Sequence, residues 1–95
     1  MRPDQEVEAA LQALQEQRKY AAGQVTAEKN IMTVMFAGMV EELDVMIDVL
    51  ETRMTFARCY ELYGRNLKSY QFFAASLAVE FLHGEIKFEK LKKSL

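Results

Sequence analysis

The stretch Ile31–Tyr63, IMTVMFAGMVEELDVMIDVLETRMTFARCYELY, decides how this chain is read. Its apolar residues recur every three or four positions, the period of an α-helix and not of a strand. One stripe is Phe36, Val40, Leu43, Ile47, Leu50, Met54 and Ala57. Beside it runs a second: Met35, Met39, Glu42, Met46, Val49, Arg53, Phe56 and Tyr60. A helix apolar over so much of its circumference needs neighbours on more than one side. The narrow remainder, Glu41, Asp44, Asp48 and Glu51, reads as a solvated acidic face. One helix is expected over about residues 27–63.

The second stripe is nearly self-complementary about a point between Ile47 and Asp48. An antiparallel second copy would set Met46 against Val49, Met39 against Phe56 and Met35 against Tyr60. It would also set Glu42 of each chain against Arg53 of the other. Charges within an apolar face are costly alone and tolerable when paired, and a two-fold axis needs a self-matching patch of this kind. The expectation is an antiparallel homodimer. Its alternatives are that Glu42 and Arg53 reach solvent, or pair within the chain, as Glu42 with Arg18.

Upstream, a helix is expected over about residues 4–22, with Asp4 as N-cap and Glu6 and Glu8 on the positive end of the dipole. Its stripe, Val7, Leu11, Leu14, Ala21 and Val25, is narrow, which suits an outer helix. Arg18 and Lys19 followed by Gly23 form a stop signal, and Thr26 or Asn30 can cap the next start. A break near 23–30 is expected; a continuous helix with a mid-helix glycine is the alternative. Downstream, Gly64 ends the central helix, and Asn66 or Ser69 caps a third over about 67–93. That helix carries two apolar faces: Leu67, Tyr70, Ala74, Leu77, Phe81, Gly84, Phe88, Leu91 and Leu95, and, opposite, Phe72, Ala75, Val79, Leu82 and Ile86. It is therefore expected between two neighbours.

The fold class is all-α: one domain over 1–95, a helical hairpin with an added N-terminal helix, completing a four-helix-type bundle by dimerisation. A chain of 95 residues that is 51% hydrophobic has more apolar surface than three such helices bury alone, which also points to an oligomer or partner. The net charge of -2 gives no overall field for nucleic acid. The C-terminal Lys87, Lys90, Lys92 and Lys93 project around the helix and make no basic stripe. The runs Ile31–Val40 and Tyr70–Leu82 fall short of the roughly 20 residues a spanning helix requires. No secretory segment is evident, and the lone Cys59 fits a reducing compartment, so a cytoplasmic location is expected.

Signals for chemistry are sparse. Glu80 and His83 have the Glu-x-x-His spacing of di-iron carboxylate bundles, with Glu41 or Asp44 as a candidate extra carboxylate. They lie on the polar flank, however, and Lys87 one turn on would repel a cation. Cys59 has no nearby histidine to act as base and reads as a buried structural thiol. No nucleophile elbow or phosphate loop is present. All five methionines after Met1 (Met32, Met35, Met39, Met46, Met54) fall in the central stretch. Such residues fill core gaps, and they also suit surfaces that accept another protein. The expectation is a non-enzymatic, cofactor-free interaction module, an adaptor, inhibitor or chaperone-like partner, using Met35, Met39, Glu42, Met46, Val49, Arg53, Phe56 and Tyr60. The alternative is a metal-binding bundle built on Glu80 and His83.

Overall fold

A computed structural model describes residues 1–65, 69–93 and 95. Five helices are formed among them, and no strand: α1 (Asp4–Gly23), α2 (Ile31–Thr52), α3 (Phe56–Tyr63), α4 (Ser69–Leu82) and α5 (Phe88–Lys93). The expected cap Asn66 and the stripe residue Leu67 lie outside the described residues.

α1 begins at Asp4 as expected, but its cap lies one residue earlier, at Pro3. Asp4 is its first residue, not its cap, and the Pro3 carbonyl accepts from the N–H groups of Glu6 (3.0 Å) and Val7 (3.2 Å). Just upstream is a clasp, where the Arg2 backbone N–H donates to the Leu82 carbonyl at the end of α4 (2.7 Å). Arg2 also donates through its guanidinium to the carbonyls of Phe81 (2.7 Å) and Ile86 (2.6 Å), and stacks over the Phe81 ring. The Phe81 and Leu82 carbonyls belong to the last turn of α4, where intrahelical donors run out, and that of Ile86 lies in the link to α5. Gly23 closes α1 as its composition predicts. Val7, Ala10, Leu11, Leu14 and Ala21 are buried along one stripe, whereas Val25 lies past the helix and is exposed.

α2 opens on Asn30, whose side chain accepts the Thr33 N–H (2.9 Å). It does not continue to Tyr63. Arg53 takes the left-handed conformation, φ 51°, ψ 48°. Its N–H reaches the Leu50 carbonyl and that of Met54 reaches Val49, at 3.1 Å for the latter. This is the Schellman termination, and its flanking residue Met54 and last-turn residue Val49 are both buried in the core. A non-glycine residue pays roughly 1–2 kcal/mol to sit there. The Arg53 guanidinium offsets that by donating to the Leu50 carbonyl and to Glu8 (3.0 Å), with Asp4 at 3.7 Å. Thr55 then caps α3 by accepting the Arg58 N–H (3.1 Å).

Gly64 does end α3, though not through a left-handed turn. Its φ is -66°, and a Cβ would stand 2.6 Å from the Tyr60 carbonyl oxygen, so the close approach requires glycine. The expected third helix is also divided. Gly84, placed by its spacing on an apolar stripe, instead adopts φ +80° and gives α4 its own Schellman end: Gly84 N–H to Phe81 (3.0 Å) and Glu85 N–H to Glu80 (2.9 Å).

α2 lies between α1 and α4, while α4 also packs on α3 and α5. Ion pairs of Arg18 with Asp44 and of Glu8 with Arg53 show that α1 and α2 run antiparallel. Tyr70 at the start of α4 bonds Glu41 midway along α2. The end of α4 lies by Arg2, near the end of α2. α4 thus runs in the same sense as α2, and the return arm of the expected hairpin is the short α3. The core joins Leu11 and Leu14 of α1, Leu43, Met46 and Leu50 of α2, and Ala75, Ala78 and Leu82 of α4, with Cys59 and Leu91 closing its sides. The alanines let α4 approach closely.

Candidate interaction surface

The eight residues of the self-complementary stripe are not held on one face. Met46 and Val49 are fully enclosed in the chain's own core. Arg53 has left the helix and is bound to Glu8 and Leu50. Met39 and Glu42 are half-buried, and Met35 is 58% exposed. Phe56 and Tyr60 sit on α3, about half-exposed, each edge-on to Phe72 at 6.4 and 6.1 Å. The register that would stack Met46 on Val49 and Glu42 on Arg53 therefore has no continuous helix to carry it. The left-handed turn at Arg53 is the reason.

The acidic strip is solvated only in part: Asp44 and Glu51 are exposed, Glu41 and Asp48 half-buried, and three of the four have partners. Asp44 pairs with Arg18, Asp48 accepts from the Tyr63 hydroxyl and Glu41 from that of Tyr70. Burial, helped by Asp48, pushes the Tyr63 phenol well above its usual range. The pairing of Arg18 considered from the sequence is real, but its partner is Asp44 and not Glu42.

What remains is the first half of α2. None of Ile31–Glu42 is fully buried, and Ile31, Met32, Val34 and Met35 are among the most exposed large apolar side chains of the described residues. At 100° per residue, Ile31, Val34, Met35, Gly38 and Glu42 fall within about one third of the circumference. Further along, this same face carries Met46 and Val49, which are buried in the core that α2 shares with α1 and α4. α4 begins at Ser69, beside the level of Glu41. Above that level the described residues leave the face uncovered. The result is an open groove of about 390 Å³ lined by Val34, Met35, Gly38, Met39, Glu42, Tyr70 and Leu95.

Glu42 is the one acidic side chain in that lining. It has no hydrogen bond or ion pair among the described residues, and desolvation alone raises its carboxyl above the ordinary range. Gly38 keeps the floor low, because a Cβ there would meet nothing within 4 Å. Sequence spacing had singled out Met35, Met39 and Glu42. It missed Val34 and Gly38, which share that face of α2, and Tyr70 and Leu95, which reach the groove only through the tertiary packing. A wider cleft between α1 and the Arg53 turn has Asp4, Glu8, Gln12, Gln15 and Glu51 on its walls beside Ala9 and Leu11, and Arg53 already matches Glu8 and Asp4 there.

The pair considered for metal is not assembled. Glu80 is half-buried in the last turn of α4, whereas His83 is exposed in the turn beyond it. Among the described residues no three His, Cys, Asp or Glu side chains converge as a ligand set. Cys59 is buried, burial raises its thiol above the usual value, and Arg58 pairs with Glu61 (3.0 Å). Among the described residues, no helix is long and apolar enough to cross a membrane.

No family model, curated protein or solved structure matches this chain.

Proposed function

We propose that this chain is a non-enzymatic helical interaction module, an adaptor, inhibitor or chaperone-like partner, that binds protein through the first half of α2. The observation that carries this reading is the row Ile31, Val34 and Met35, exposed on one helical face above a groove. Burying each such side chain on binding is worth roughly 1.5–3 kcal/mol. A face of this kind left in water on a small chain is best explained by something that covers it. Methionines at 35 and 39 supply a surface that repacks around its ligand. Phe56 and Tyr60 form a second, aromatic patch on α3 that extends the available area.

Self-association belongs to the same reading, but a dimer must use the face from Ile31 to Glu42 and not the register through Arg53. The test combines affinity capture with solution mass. Val34→Asp with Met35→Asp is expected to keep the helical circular dichroism of the wild type, since both side chains are exposed, and to lose the proteins that the wild type retains or its own dimer. An unchanged set of captured proteins and an unchanged mass would refute the assignment.

A further inference from the structure

We infer that the groove of α2 takes an apolar α-helix of another protein that presents one lysine or arginine to Glu42. This inference rests on the proposed interaction surface and names its ligand. Three observations converge on it. The groove runs along α2 from Val34 to Glu42 and abuts Tyr70 at the start of α4, the helix that packs on α2 lower down, so it lies beyond the end of a helix already seated on α2. Gly38 lies in the middle of the lining with open space over its α-carbon, which lets a second helix backbone come close. Glu42 stands at the inner end, half-buried, with no cation beside it among the described residues.

A carboxylate in that setting is the unfavourable part of an otherwise apolar surface. A cation from the partner converts it into a charge-assisted pair, and an apolar partner that buries it unpaired is rejected. A second copy supplies this poorly. Between Ile31 and Glu42 the sequence holds no lysine or arginine, so crossing two copies at Gly38 sets Glu42 against Val34. Charge complementarity therefore favours a different chain.

The experiment uses the full chain and two labelled synthetic helical peptides rich in leucine and alanine. One carries a central lysine on its apolar face; its twin carries norleucine there. Fluorescence anisotropy is expected to show the lysine peptide binding about tenfold tighter than its twin. Glu42→Gln should abolish that difference. Gly38→Leu, which fills the groove and favours the helix, should weaken both peptides. Equal affinities for the two peptides, with Gly38→Leu still weakening both, would overturn the pairing with Glu42 while leaving the interaction surface intact. Binding of neither peptide, or binding indifferent to Gly38→Leu, would overturn both. Sedimentation of the unliganded chain closes the remaining case: a dimer that Gly38→Leu dissolves would make a second copy the occupant and overturn the inference.

Discussion

Arg53 stands 3.0 Å from Glu8, and that ion pair joins the end of α2 to the first turns of α1 across forty-five positions of sequence. The residue that spacing alone assigns to an exposed dimer face is instead the hinge between α2 and α3. Its conformation and its side-chain partners can be separated by substitution. Arg53→Ala keeps the strain of a left-handed residue and loses the guanidinium bonds. Arg53→Gly loses the same bonds and relieves the strain. Urea denaturation should find the glycine variant about 1 kcal/mol more stable than the alanine variant. Equal midpoints would mean that position 53 is not held at positive φ.

Arg2 binds α1 to the end of α4 through the carbonyls of Phe81 and Ile86. Its side chain is largely sheltered, so its hydrogen bonds are poorly replaced by water. Arg2→Ala should lower unfolding stability by about 2 kcal/mol, the range for hydrogen bonds to charged groups. Arg2→Lys should recover only part of this, because an ammonium cannot reach both carbonyls in the planar geometry of the guanidinium. A thermal melt of Arg2→Ala that superimposes on the wild type would remove the clasp from the account.

Tyr63 and Asp48 give an alkaline signature. The phenol has a higher pKa folded than its ordinary 10.0. The folded state therefore holds a proton that the unfolded chain releases, and its contribution, complete below pH 10, declines as pH rises beyond it. Tyr63→Phe should cost about 1 kcal/mol at neutral pH. The gap between wild type and variant should narrow above pH 10; a gap constant with pH would contradict the bond to Asp48.

Glu42 should behave in the same sense at the acid end. Desolvation raises its folded pKa above 4.5, so the folded state is favoured while the carboxyl is protonated and loses that advantage as pH rises through the folded pKa. At neutral pH, Glu42→Gln should raise the melting temperature. Below the ordinary carboxylate range the two proteins should melt together. A stabilised peptide-free variant that binds less selectively is the pattern expected of a residue kept for recognition.

The sequence determined the helical class, the span of α1 and the stop before Gly64, and it offered Asn30 beside Thr26 as the cap of the next helix. These follow from local physics: three-to-four periodicity, a side chain that caps, a glycine that permits close approach. Gly84 was legible by the same rule and was hidden because its spacing also fitted a stripe. Arg53 was not legible. A left-handed arginine is unfavourable locally, and here only contacts with Leu50 and the distant Glu8 hold it. The groove belongs to the tertiary structure as well. Met35, Met46 and Val49 share one helical face in the sequence, and nothing in their spacing says where α4 begins. α4 starts beside Glu41; Met46 and Val49, below that level, are enclosed in the core, and Met35, above it, is left in the open.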